Sequence, residues 1–295
     1  MRAVQPRSRR VPGADGLALH VLEWSEEGVP LLFVHGFGND AHVWDEIAPV
    51  VAPCYRVLAL DLRGHGDSDH DPEHRYDYAR FVADLECATE ALGVDRLVLV
   101  GHSLGGRVSM LFAGRHPARL AGLVIVDAGP ELDPRGTTRI RLDVRKQADA
   151  SFASPGEYER ALAHAYPAAS ASTLARLAQH GLRRRADGRF ERKTDPTFYA
   201  LPGQLDAAAL AERERNTSRE LWDALARVTC PTLVVRGAAS DILSPDCADR
   251  MAEEVLAQGR LAVVPAAAHS VMIDNPGGFA RALAAFALDE ADDAA

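Results

Sequence analysis

Residues 97–106 read LVLVGHSLGG: an apolar run from Leu97 to Val100, then Gly-His-Ser-Leu-Gly-Gly, then a helix-like segment that begins at Leu104. A short apolar run bounded by glycine predicts a buried strand, so the stretch is read as a strand, a very sharp turn and a helix. Gly101, Ser103 and Gly105 make the pattern Gly-x-Ser-x-Gly, and each glycine has a steric role. In such a turn the serine takes a strained backbone conformation, and a side chain at either flanking position would meet the neighbouring strand or helix. Gly101 and Gly105 remove those side chains. Ser103, with His102 as a supporting neighbour, is then lifted above the carboxyl end of the sheet as a candidate nucleophile. The amide of Leu104 falls at a helix N-terminus, where it can face developing negative charge. A small-residue turn before any helix would look the same locally, so the rest of the chain has to carry the reading.

Working outward, similar apolar runs occur at Leu31 to Val34 and Val57 to Leu60 before the motif, and at Leu123 to Val126, Thr232 to Val235 and Leu261 to Val264 after it. Helical patterns separate them: about Val43 to Val51, Tyr78 to Leu92 closed by Gly93, and Leu104 to His116 stopped by Pro117. Alternation of buried strand and helix is the signature of right-handed βαβ units, which build a parallel sheet with helices on both faces. Residues 7 to 24 read as two short antiparallel strands around the turn from Gly13 to Gly16, completing one edge. Ligands in such sheets sit at the carboxyl ends of the strands. Ser103, Phe37 and Asp127 all fall there.

The strand ending at Val34 runs into His35-Gly36-Phe37-Gly38. Gly36 and Gly38 let the backbone bend so that the Phe37 amide points at the space above Ser103. Paired with the Leu104 amide, it makes a candidate two-donor oxyanion hole. His35 is read as structural, fixing the loop by hydrogen bonds. Asp61, Arg63, His65 and Asp67 match no standard metal-ligand spacing and are read as a hydrogen-bonded brace. The cluster Asp69, His70, Asp71, Glu73 and His74 surrounds Pro72 and is read as a solvated loop.

Asp241 and His269 each follow a buried strand by a short loop, which puts both at the same sheet edge as Ser103. The chain order Ser, Asp, His suits a triad in which His269 takes and returns the Ser103 proton while Asp241 holds the imidazole tautomer. Asp127 competes for the acid role. Asp241 is preferred, because Ile242 to Pro245 reads as a loop entering a helix near His269, whereas Asp127 leads directly into the segment that follows and is read as a hinge residue.

That segment, about 131–222, changes character. Charged helical stretches, Thr138 to Ala150, Pro155 to Ala165 and Ala171 to Leu182, follow one another without buried strand runs. It is read as a helical cap inserted after the sixth strand, over a core made of 1–130 and 223–295. Arg183 to Arg185 is read as a solvated face, and Arg141, Tyr166, Phe198 and Tyr199 as candidate pocket residues.

Bulk properties narrow the function classes. The 295 residues are 47% hydrophobic and 25% charged, the balance of a soluble globular chain. A formal net charge of -9 disfavours nucleic acid as a partner, since that needs clustered Lys and Arg. The basic start, with Arg2, Arg7, Arg9 and Arg10, lacks the apolar stretch of a secretory signal, and no segment approaches a membrane span, so a cytoplasmic location is expected. Cys54, Cys87, Cys230 and Cys247 are scattered without CxxC spacing and are read as reduced thiols.

HGFGND, DLRGHGDSD, GHSLGG, RGAASD and the histidine of AAAHSVMIDNP together resemble the α/β-hydrolase superfamily over nearly the whole chain outside the cap. The resemblance implies acyl transfer to Ser103, an acyl-enzyme opened by water, a small-molecule substrate, no cofactor and no catalytic metal. Dehalogenase and epoxide hydrolase branches carry aspartate where this chain has Ser103. Hydrolases of carbon-carbon bonds usually show Gly-Pro-Gly after the first His-Gly and a tryptophan after the catalytic histidine; here Phe37-Gly38-Asn39 and Ser270 stand there. Cofactor-free haloperoxidases and perhydrolases remain open, as does a ligand receptor on the same scaffold. A carboxylesterase or lactonase for a small or medium, largely apolar substrate is the expectation.

Overall fold

The computed structural model describes residues 5–147, 150–200 and 207–293. In chain order its strands are β1 (Arg7–Pro12), β2 (Ala18–Glu23), β3 (Val29–Val34), β4 (Tyr55–Leu60), β5 (Leu97–His102), β6 (Leu120–Val126), β7 (Ser151–Phe152), β8 (Leu182–Arg184), β9 (Phe190–Arg192), β10 (Thr232–Gly237) and β11 (Gly259–Val264). Eight form one sheet in the order β1-β2-β4-β3-β5-β6-β10-β11. β1 and β2 pair antiparallel, as do β2 and β4, and every other neighbour pair is parallel.

The apolar runs are continuous because both faces of the sheet are covered. On one face Leu32, Leu58, Leu99, Leu123 and Val234 pack with Phe81 and Leu85 of the helix Tyr78–Ala91 and Val108 and Phe112 of the helix Leu104–Arg115. On the other, Phe33, Val57, Val98, Val124 and Val235 meet Trp44, Ile47 and Phe279, Leu283 and Phe286 of the helix Pro276–Asp293. Successive strand residues therefore alternate between two cores, and neither face is left polar. The expected helix Val43 to Val51 is instead a 3-10 turn, Ala41–Trp44, and a single α-turn, Ala48–Val51.

Strand register sets what stands at the carboxyl edge. Val34 is level with Leu60 and Gly101, His102 with Val126, Val126 with Val235, and Gly237 with Val264. His35 and Asp61 thus emerge level with His102, and Ser103 and Asp127 emerge one residue further along. Ser103 and Asp127 leave adjacent strands at the same level.

Between β6 and β10 lie the helices Pro134–Gln147, Pro155–Ala165, Ala171–His180, Thr197–Ala200 and Ala207–Leu225. They are joined by a three-stranded antiparallel sheet, β7-β9-β8, that a purely helical reading omits. Arg183 and Glu191, cross-strand partners in it, form an ion pair at 2.7 Å. The Ala207–Leu225 helix straddles residue 222: its end buries Leu221 and Leu225 in the sheet's core, and Ala224 packs so closely on Gly114 that a Cβ there would lie 2.7 Å away.

The turn after β5 has little tolerance. A Cβ on Gly101 would enter the carbonyl of Gly105, and one on Gly105 the carbonyl oxygens of Val34 and His35. Backbone cannot withdraw as a side chain can, so Gly105→Ala should lower unfolding stability by about 1–3 kcal/mol or more. Denaturant titration checks this, and an unchanged midpoint would contradict the close packing.

Candidate active site

Ser103 caps the helix Leu104–Arg115 with φ 51° and ψ −113°, a conformation L-residues rarely hold. Two backbone bonds hold it: its amide donates to Val126 at 3.0 Å, and its carbonyl accepts the Arg107 amide at 3.0 Å. The hydroxyl is thereby fixed at the helix start. His269, in the loop after β11, puts Nε2 at 3.0 Å from Ser103 Oγ. Its Nδ1 lies 2.8 Å from Asp127 Oδ2. With Nδ1 donating to the carboxylate, Nε2 is left with the lone pair that the serine hydroxyl needs.

The acid beside His269 is Asp127, and the expectation for Asp241 is corrected. Asp127 is fully buried, and its carboxylate accepts from the Gly237 amide at 3.0 Å and the Ser240 hydroxyl at 2.6 Å as well as from His269. It holds φ at 45° directly after β6, and its amide donates to Val235. The loop after β10 does turn back on the site, but its inward residue is Ser240. Asp241, one residue later, accepts two parallel hydrogen bonds from Arg139, from Nε and Nη2, both at 2.7 Å. That pairing keeps its carboxyl below the usual range. No hydrogen bond joins Asp241 and His269 among the described residues.

The supporting residues fit around this line. His102 is buried and its Nε2 donates to the His269 carbonyl at 2.9 Å. Burial, then the nearby His269, push its pKa well down, so it is neutral. Gly36 leaves room for that ring, since a Cβ there would lie 2.6 Å from His102 Nδ1. His35 Nε2 accepts the Leu62 amide at 3.0 Å while Nδ1 donates to Gly36 at 2.8 Å, a neutral buried clamp on the loop that carries Phe37. Asp61 accepts the amides of Ala41 and Asp67 and pairs with His20 at 2.7 Å, and Arg63 is buried against Asp84, Asp71 and Asp15. This loop is a brace.

Ser103, Phe37, Leu104 and Asp127 line a cavity of about 300 Å³. Its other walls include Tyr76, Tyr78, Phe81, Leu132, Ile140, Phe198 and Ile242, with Arg107 and Arg213 as its cations. Of the candidate pocket residues, Phe198 is a wall. Tyr199 and Phe198 pack edge-on against the Phe37 ring at 5.8 and 5.6 Å, Tyr166 packs half-buried against the second core, and the side chain of Arg141 lies outside the described residues. Arg107 went unread in the sequence, although it stands four residues after Ser103 and so one helical turn along the same side. It is 4% exposed and donates to the carbonyls of Gly129 and Pro130 and to Glu214 at 2.7 Å.

Comparison with known proteins gives a consistent setting. A family model described as the alpha/beta hydrolase fold matches residues 29–276. The chain is 28% identical over 237 residues to a 2-(acetamidomethylene)succinate hydrolase of Mesorhizobium japonicum, covering 80% of each chain. It is 31% identical over 255 residues to a 2-succinyl-6-hydroxy-2,4-cyclohexadiene-1-carboxylate synthase of an Enterobacter species, covering 86% of this chain and 90% of the relative. Among solved structures, that of an E-2-(acetamidomethylene)succinate hydrolase superposes with a TM-score of 0.80 at 27% identity, over 95% of this chain and 98% of the other. No helix among the described residues is long and apolar enough to cross a membrane.

Proposed function

The chain belongs to the alpha/beta hydrolase fold family, and from that premise we propose that it is a serine hydrolase cleaving a carboxylic ester or lactone through an acyl-enzyme on Ser103. The observation that carries this is the continuous line Asp127, His269, Ser103, at 2.8 and 3.0 Å, ending at the wall of a mainly apolar cavity. As Ser103 Oγ attacks the carbonyl carbon, its proton passes to His269 Nε2, and the imidazolium that forms is stabilised by the buried Asp127 carboxylate. The carbonyl oxygen becomes an oxyanion facing the amides of Phe37 and Leu104, a pair of donors of which each is typically worth about 10²–10³ in rate. Collapse breaks the bond to the leaving oxygen, which takes the proton from His269. Water, deprotonated in turn by His269, then opens the acyl-enzyme and frees Ser103.

The test is a series of p-nitrophenyl esters of increasing acyl length with Ser103→Ala as the control. A cavity of about 300 Å³ supports an optimum at short to medium acyl chains. Serine-dependent release with such an optimum is the expected result; no release from any ester would remove this reading and favour another bond type, such as the carbon-carbon bond, or a ligand receptor.

A second, narrower reading is that the substrate carries a carboxylate. It is supported by Arg213 on the cavity wall, Arg107 being already paired with Glu214, and by the acidic compounds in the names of the two relatives. Mono-p-nitrophenyl succinate should then be hydrolysed with a kcat/KM at least about tenfold above p-nitrophenyl butyrate, an ion-paired carboxylate being worth more than the methyl group it replaces. Preference for the butyrate would discard this narrower reading alone.

A further inference from the structure

We infer that His42, Asp45 and His180 form a binding site for a divalent transition-metal cation of the zinc type, which ties the segment between β6 and β10 to the sheet. His42 lies in the turn Ala41–Trp44, Asp45 directly follows it, and His180 ends the helix Ala171–His180. One ligand atom from each of the three lies within 4.8 Å of the others. His42 Nδ1 is 3.1 Å from Asp45 Oδ2, and the two imidazoles face one another with centroids 3.5 Å apart and planes at 20°.

Two imidazoles and one carboxylate are a donor set suited to zinc, copper or nickel rather than to magnesium or calcium, which prefer oxygen. Three protein ligands leave a fourth position to water, the usual count for an accessible zinc. The three side chains are half-buried, so an ion has a path in. The reaction proposed above gives this pair of rings no task. Two protonated imidazoles at this separation would repel, whereas a single cation shared between neutral rings satisfies both. Binding splays the rings, because the metal must lie near the plane of each imidazole that ligates it.

Asp45 now has Arg176 at 3.6 Å, and that guanidinium is also held by Glu46 at 2.8 Å. Glu46 therefore keeps Arg176 in place when a cation takes Asp45. The contrast with His20, Asp61 and Asp67, the other cluster of suitable residues among those described, is instructive. There Asp61 is buried and already accepts from two amides and from His20, so a metal would have to displace these bonds. In consequence the zinc-type ion joins the Ala171–His180 helix to a turn five residues after Phe37, so that the inserted helix and the loop beside Ser103 share one anchor.

The experiment is calorimetric titration of untagged, chelator-stripped protein with Zn²⁺, in a His269→Ala background so that the imidazole beside Ser103 is not counted. One zinc per chain is expected. Loss of a ligand should weaken binding by more than about tenfold, the least that loss of a mere supporting partner costs, so His42→Ala and His180→Ala should each do so. His116→Ala, which removes a histidine paired with Glu86 elsewhere, should change nothing. Saturating Zn²⁺ should also raise the melting temperature of the His269→Ala protein and not that of its His180→Ala derivative. Should His180→Ala lose its fold by circular dichroism, His180→Gln takes its place. Equal affinity and stoichiometry with and without His180, or no zinc bound at all, would overturn the site.

Discussion

Ser103→Ala is expected to cut hydrolysis of a p-nitrophenyl ester by about 10⁴- to 10⁶-fold, His269→Ala by a similar factor, and the double variant by barely more. The reason is geometric. With Ser103 Oγ 3.0 Å from His269 Nε2, the histidine has one proton to take and the serine one base to take it. Without the hydroxyl, the imidazole has no nucleophile to activate; without the imidazole, a hydroxyl of ordinary acidity attacks with its proton still attached. Removing the second member of a unit that has already failed costs little. What remains in each variant is the cavity and, on the proposed mechanism, the amides of Phe37 and Leu104 as oxyanion donors, which would leave a residual of roughly 10³–10⁴ over the uncatalysed reaction, as in comparable sites. Stopped assays of kcat/KM, with denaturant curves to show that all three variants are folded, decide the matter. Losses that multiply in the double variant would mean that Ser103 and His269 do not act together.

Ser103 and His269 were legible because their evidence is local. Gly101 and Gly105 have contacts so close that only glycine fits, and His269 follows the apolar run Leu261 to Val264. The inner strands β3, β4, β5, β6 and β10 were legible for the same reason: a run buried on both faces has no polar side to confuse it. The acid was not. Whether Asp127 or Asp241 meets His269 depends on the level at which β6, β10 and β5 stop, and on a single residue of phase in the loop after β10 that turns Ser240 inward and Asp241 out. No local pattern encodes that phase. Nor did the sequence disclose that Arg139, 102 residues before Asp241, would be there to hold it. The small sheet β7-β9-β8 escaped for another reason. Its strands are two or three residues long, and β8 and β9 are charged, so periodicity has nothing to grip, although Asp187-Gly188, with Gly188 at φ 84°, is a turn signal between those two. Arg107, four residues after Ser103, shares a helix face with it and so was legible from spacing alone.

Asp127→Asn is expected to lower kcat by about 10⁴, as loss of the orienting acid does in serine triads generally, while Asp241→Asn leaves kcat within about threefold. The buried carboxylate of Asp127 serves three donors: Gly237 N–H on Oδ1, and both the Ser240 hydroxyl and His269 Nδ1 on Oδ2. An asparagine has only one oxygen to offer. If that oxygen faces His269, the amide NH₂ confronts the Gly237 N–H, two donors buried against each other at a cost of about 1–3 kcal/mol. If it faces Gly237, the NH₂ points at His269 Nδ1, which must become the acceptor, and the ring proton moves to Nε2. Ser103 then meets an N–H where it needs a lone pair. The second arrangement suits the backbone, so the wrong tautomer prevails, and the loss falls on kcat rather than on KM. Asp241, by contrast, is about one-third exposed and bound to a half-exposed Arg139. Trading its charge for an amide removes a surface ion pair worth no more than about 1 kcal/mol, and no atom of the proton path moves. Steady-state kinetics of the two variants on one ester separate the alternatives: a severe Asp241→Asn defect beside a mild Asp127→Asn one would return the acid role to the loop after β10, and the geometry described here would not be that of the working enzyme.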